Sequence, residues 1–186
     1  QLVQEAHSRG ITISLDLNYR AKLWQYGVTP PAIMAPIAAY CNLIMGNLWA
    51  AHALLDIPID PQVAVNDATK DEYITQATKT AQAIQNQFPH CQIVANTFRF
   101  DTQMGGISYY ATVHTSSETR VSKEIGVDKV VDRVGSGDCF MAGLIYGLKL
   151  HHPLQEVIGF SAAAAFAKLH EKGDSTKNTV AHIQQV

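Results

Sequence analysis

The stretch V-V-D-R-V-G-S-G-D-C-F-M-A-G-L, residues 130–144, decides how the rest of this chain is read. Two apolar residues, Val130 and Val131, lead into a turn holding Gly135 and Gly137. Asp138 follows, and Phe140 to Leu150 then carries the apolar pattern of a helix. A glycine-rich turn opening a helix leaves backbone N–H groups without intrahelical partners and presents the positive end of the helix dipole. That setting suits an anion such as phosphate. A carboxylate at the same mouth needs a reason, and two are available. Asp is favoured near a helix N-cap, where it accepts N–H bonds and complements the dipole. Alternatively, phosphoryl transfer requires a hydroxyl to meet a terminal phosphate in line, with a base beside it. Gly135, Ser136 and Gly137 would then offer N–H groups to the charge developing on the phosphoryl oxygens, while Asp138 orients and deprotonates the hydroxyl. On these residues alone, both readings stand.

Composition narrows the field. Apolar residues make up 47% of the 186 positions and charged residues 16%, which predicts a substantial core and excludes global disorder. The net charge of −2, with no basic block, gives no footprint for nucleic acid. Cys41, Cys91 and Cys139 are odd in number and lack C-x-x-C spacing. They fit a reduced, cytoplasmic setting better than a disulfide scaffold or a zinc site. No apolar run reaches the ~20 residues needed to span a bilayer, so no membrane partner is expected. The N-terminus has no signal-peptide core and no initiator Met, and it opens inside what reads as a helix. That is the pattern of a fragment or a processed product.

Outward from the glycine turn, the chain alternates short apolar runs with helical patterns. Leu2 to Arg9 reads as a helix stopped by Gly10. I-T-I-S-L, residues 11–15, reads as a strand buried on both faces of a parallel sheet. The polar group D-L-N-Y-R, residues 16–20, would lie at that strand's carboxyl end, where open α/β sheets bind ligands. A helix is expected after Pro30 and Pro31, a strand at N-L-I-M-G, a helix from Asn47 to Leu55, and a loop at Pro58 and Pro61. Ile74, Ala77, Ala81 and Ile84 recur at helical spacing through residues 71–88, an amphipathic helix on the outside of a sheet. Cys91 to Ala95 is a third strand, and 107–113 with 119–123 a hairpin. Ala142 and Gly143 would let the helix after the glycine turn pack closely. Leu154 to His170 is an Ala-rich helix, followed by a polar loop and a last short element. The pattern is α/β, with a layered sheet in one domain.

The 130–144 stretch resembles the signature of the ribokinase/PfkB carbohydrate-kinase family, D-T-x-G-A-G-D-x-F-x-A-G. Asp132, Gly135, Gly137, Asp138, Phe140, Ala142 and Gly143 match, while Arg133 and Ser136 replace Thr and Ala. D-L-N-Y-R-A-K-L-W, residues 16–24, resembles the D-x-N-x-R-x-x-L-W of the 2-keto-3-deoxygluconate kinase branch. The S-A-A-A-A-F-A…K-G-D run resembles the family's nucleotide-side helix and the loop after it. The likeness is weakest between residues 56 and 119.

The resemblance implies a ribokinase-like layered fold, a mostly parallel sheet flanked by helices. Residues 1–186 would be its C-terminal nucleotide-binding and catalytic part, with the N-terminal part and lid absent. It implies an ATP-dependent kinase acting on a primary hydroxyl of a sugar acid, 2-keto-3-deoxygluconate foremost. The alternatives are fructose, ribose or a nucleoside as acceptor, or a nucleotide-binding fragment without catalysis. Asp138 would be the base and would contact the substrate; Gly135, Ser136 and Gly137 would form the anion hole. Arg20 would hold the sugar acid's carboxylate, to which its planar fork is suited. Asn18 and Asn47 would lie with Gly135 and Gly137 on the nucleotide side. Asp132 matches a position tied to a monovalent cation, K⁺, and Mg²⁺ would accompany ATP. Where the family has N-x-x-E, this chain has Asn47 and Ala50, one acidic group fewer near the metal. The partners implied are ATP, the sugar acid, and a second copy or the missing N-terminal part, paired along an exposed sheet edge.

Other features read as structure. The eight histidines are scattered, and His151–His152 have no third ligand spaced to join them. Cys139 is expected to pack into its helix, and Trp24 and Trp49 to join the core. No G-x-x-x-x-G-K-[ST] is present, which excludes a P-loop, and no full G-x-G-x-x-G marks a dinucleotide site.

Overall fold

The computed structural model describes residues 1–103 and 106–186. The chain divides into two compact units, residues 1–96 with 114–119 and residues 97–113 with 120–186.

In the first unit, α1 (Leu2–Ser8) ends at Gly10, which adopts the expected left-handed conformation. β1 covers only Ser14–Asp16, and Ile11 is 54% exposed, so the expected doubly buried strand is not seen. The reason is its place at the end of the strand order, with β2 (Leu43–Gly46) as its neighbour on one side. Between them, a single 3₁₀ turn forms at Ala21–Leu23, and α2 (Pro30–Ala38) starts on the two prolines. Pro is suited to a first helical position, where its missing N–H has no partner to lose.

β2 is buried along its whole length and leads directly into α3 (Leu48–Leu55). Leu54 and Leu55 join Leu17, Ile44 and Val94 in one apolar cluster; each such side chain contributes about 2 kcal/mol on burial. After the short α4 (Pro61–Ala64) comes α5 (Lys70–Gln87), opened by a capping box in which Thr69 and Glu72 satisfy each other's backbone N–H groups. Its buried face holds Ala77, Ala81 and Ile84 as the spacing predicts, with Tyr73 rather than the half-buried Ile74, together with polar Gln76 and Thr80. Gln76 is affordable there because it is satisfied: it donates to Pro58 O and to Thr80 Oγ1 and accepts from Asp60 N. β3 (Ile93–Asp101) then pairs in parallel with β2, Leu43 opposite Ile93 and Gly46 opposite Asn96. It runs six residues past the apolar run that signals it.

The second unit begins within β3 and continues through β4 (Ile107–His114) and β5 (Thr119–Val121). The strand order is β1-β2-β3-β4-β5. The hairpin's second arm stops at Val121 because Ser122 turns its hydroxyl onto the ladder, accepting from Ala111 N and donating to Lys123 O. A further strand, β6 (Ile125–Val127), pairs antiparallel with β4, making the six-stranded sheet mixed. Two long helices follow, α6 (Ser136–Lys149) and α7 (Leu154–Lys168), then the short α8 (Val180–Ile183). α7 is buried on nearly all sides, which explains its alanine content. Close approach of α6 and α7 is set by Gly143, where a Cβ would stand 2.7 Å from Ser161 Cα, and not by Ala142, which is exposed. Among the described residues, no helix is long and apolar enough to cross a membrane.

Candidate functional site

The glycine turn ahead of α6 is held in place from behind. Val131 N donates to Leu169 O at 2.8 Å, tying the approach to the end of α7. Asp132 accepts from Val134 N on one oxygen, at 3.0 Å, and from Gly173 N on the other, at 2.9 Å. These N–H groups, with Lys168 adding to them, hold its carboxyl below the usual range. Arg133 forms an ion pair with Asp101, and Ser136 Oγ donates to Arg133 O at 3.1 Å. The Ser136 hydroxyl is therefore spent inside the turn, and only its backbone N–H is left to meet a ligand.

Gly135 is the N-cap of α6, at φ +80°, and a side chain there would be driven into the carbonyl of Asp174. Only glycine fits both the dihedral and the space. The helix starts earlier than its apolar run, at Ser136, and no side chain caps it. Its first intrahelical bond runs from Cys139 N to Gly135 O at 2.9 Å, so the N–H groups ahead of it have no helical acceptor.

Asp138 is the third residue of α6 and is exposed. Among the described residues no hydrogen bond reaches its carboxylate, and it does not cap the helix. Of the two roles open to it in the sequence, the capping role is not taken up. Cys139 beside it is buried, and burial pushes its thiol up, as packing into the helix requires.

In the first unit, Asn18 and Asn47 follow the carboxyl ends of the adjacent parallel strands β1 and β2, and both are exposed. Arg20 is exposed at the start of the 3₁₀ turn. Asn47 has a structural duty: its Oδ1 accepts Ala50 N at 2.7 Å and caps α3. Ala50, where the family pattern has an acid, is buried in the apolar cluster. Trp24 packs against that cluster while stacking on exposed Tyr26, and half-buried Trp49 donates to Ala64 O. Among the described residues no three His, Cys, Asp or Glu side chains gather into a metal-holding group.

Two polar residues escaped the sequence reading. Asn96 in β3 is 1% exposed; its Nδ2 donates to Gly46 O at 3.0 Å, and its Oδ1 has no partner among the described residues. Its signal was a lone amide within the apolar run I-V-A-N-T. Lys168 is fully buried at the end of α7, and its signal was a single lysine in an alanine-rich helix.

Residues 105–181, which contain the whole glycine turn, match the profile of the pfkB family carbohydrate kinases. The PfkB sequence pattern is thus found in the C-terminal part of the chain, and the chain as a whole superposes on structures of sugar kinases that include a PfkB family member. A 5-dehydro-2-deoxygluconokinase of Geobacillus thermodenitrificans is 28% identical over 163 residues, which is 88% of this chain and 42% of that protein. The 2-dehydro-3-deoxygluconokinase of Thermotoga maritima has a crystal structure that superposes with a TM-score of 0.84 at 26% identity. That match covers 98% of this chain and 52% of the other. A PfkB family carbohydrate kinase of Listeria grayi gives 0.78 at 26% identity, over 99% and 52%. The chain spans about half the length of the relatives it matches. The ribokinase-like layered fold implied by the sequence is thus the fold found.

Proposed function

We propose that this chain is the C-terminal nucleotide-binding and catalytic part of an ATP-dependent PfkB sugar kinase whose acceptor is a sugar acid of the 2-keto-3-deoxygluconate type. The observation that carries the proposal is the open end of α6. Among the described residues, N–H groups with no helical acceptor and no side-chain cap stand there beside an exposed carboxylate. Gly135, Ser136 and Gly137 present N–H groups to the phosphoryl oxygens, where preorganised donors act on charge as it develops. Asp138 accepts the proton of the attacking primary hydroxyl, and its exposure leaves it accessible to a substrate. Arg20 is assigned the acceptor's carboxylate, and Asn18 and Asn47 the nucleotide side. Mg²⁺ is a hard cation that keeps water and phosphate oxygens as ligands. The oxygens of Asp16 and Asn18, at the carboxyl end of β1, suit such an ion carried in on ATP. Bound there, it would neutralise charge on the phosphates.

The relatives whose names specify a deoxygluconate acceptor support the sugar-acid reading, and Arg20 is the residue that discriminates. The test is phosphorylation by the intact protein with Mg-ATP, comparing 2-keto-3-deoxygluconate with fructose and ribose. Preferred turnover of the acid, with KM raised in Arg20→Ala, is the expected result. Equal use of neutral sugars by the parent and by Arg20→Ala would move the substrate elsewhere in the family. No phosphorylation of any acceptor, with Mg-ADP still bound, would leave a nucleotide-binding module.

A further inference from the structure

Lys168 is 0% exposed in a helix whose other buried positions are Val157, Ile158, Ser161 and a run of alanines. A buried ammonium is costly unless hydrogen-bonded or paired. Its one hydrogen bond among the described residues runs from Nζ to Glu171 O at 2.9 Å, in the loop after α7. The ammonium is also placed at the carbonyl end of its own helix, where positive charge is favoured.

The groups that feel this charge lie on two loops. Asp132 is on the turn before α6; its carboxyl is held low first by the Val134 and Gly173 N–H groups, with Lys168 adding to them. Glu171 is on the loop after α7; it is held low first by the Thr176 hydroxyl, again with Lys168 adding. Asp132 stitches the two loops together through Gly173 N, and Gly135 lies directly against the Asp174 carbonyl. The segment that shapes the open end of α6 therefore rests on a loop anchored by a fixed internal cation.

The family resemblance ties the Asp132 position to a monovalent cation beside the anion site. The residues present do not fit a second cation well. Each Asp132 oxygen already accepts one backbone N–H group, and Lys168 already supplies positive charge to both Asp132 and Glu171, so a second cation would meet repulsion there. We infer that Lys168 takes the place of that cation, holding residues 171–174 against Gly135, so that the phosphate side of this chain works without potassium. Lys168 is on this account a positioning residue. The inference rests on the reading of Gly135–Gly137 as an anion site.

The experiment is Mg-ADP titration calorimetry together with thermal melts on the intact protein, in KCl and in choline chloride at equal ionic strength. The proteins compared are the parent, Lys168→Met and Lys168→Gln. The parent is expected to show one affinity and one melting midpoint in both salts. The Met variant should bind Mg-ADP about tenfold more weakly in choline, the loss of one charged hydrogen bond, and KCl should restore affinity and midpoint in part. The Gln variant should show the same rescue and guards against a defect peculiar to Met. Parent affinity or midpoint that rises specifically with K⁺ overturns the inference. So do variants whose midpoints fall equally in both salts, because the lysine is then structural only. A parent that binds no Mg-ADP in either salt overturns the anion-site reading instead, and the melts still decide the role of the lysine.

Discussion

Helices α3 and α6 both carry N-termini assigned to the nucleotide side, and they finish those ends in opposite ways. At α3, Asn47 turns its side chain back onto Ala50 N and closes the end. At α6, the N-cap is Gly135, with no side chain to turn back, and the first-turn acid Asp138 points its charge at no backbone donor among the described residues. A side-chain cap contributes about 1 kcal/mol, and this chain provides one at α3 and a full capping box at α5. An open end is not distinctive by itself: α7 also lacks a side-chain cap and has Glu156 in its first turn. What separates α6 is the left-handed glycine, backed by the Asp174 carbonyl and fixed through Asp132. One end is closed by its own side chain, and the other is left open, as the proposed anion site requires.

The largest effect that tests this contrast is on the acid at the open end. Asp138→Asn should lower phosphoryl turnover by the intact protein, on the proposed function, by about 10²–10⁴-fold while leaving Mg-ADP affinity intact, as read by steady-state kinetics and calorimetry. Retained turnover would return Asp138 to a structural role.

Next is the backbone of the open end. Gly135→Ala meets both a left-handed dihedral and the Asp174 carbonyl, so a loss of more than about 2 kcal/mol is expected in denaturant unfolding, with Mg-ADP binding lost as well. A variant as stable as the parent would mean the turn tolerates a side chain at this position.

The closed end gives smaller numbers. Asn47→Ala should cost about 1 kcal/mol, and Asn47→Ser, which preserves the cap, should recover most of it. Weaker Mg-ADP binding in the Ser variant would add a nucleotide contact to the capping duty of Asn47. Smallest is Thr69→Ala at α5, about 0.5–1 kcal/mol in stability. It should leave Mg-ADP affinity unchanged, since that cap belongs to neither end.

The parts of the molecule legible in the sequence were those written as local pattern. The glycine turn, the α5 stripe of Ala77, Ala81 and Ile84, the proline start of α2 and the apolar strand β2 all appear where their residues place them. What escaped depends on partners distant in the chain. Ile11 reads as buried until β1 proves to lie at the end of the strand order. Gln76 lies outside the apolar stripe, and its burial comes from the loop at Pro58 and Asp60 that it holds by hydrogen bonds. Ala142 and Gly143 both read as close-packing residues, yet Ala142 is exposed and it is Gly143 that meets Ser161. Lys168 showed only as a lone lysine in an alanine-rich run, because its meaning lies in a carbonyl three residues on and in a turn far upstream.

The most direct test of the central claim is calorimetric titration of this chain with Mg-ADP, set against Gly137→Asp. An acid in the first turn suits the helix dipole, so the variant should stay folded, yet it places negative charge where a phosphate would sit. Saturable binding by the parent, abolished in a folded variant, is the predicted result. Equal binding by both, or binding by neither, would contradict the claim that the open end of α6 is an anion site.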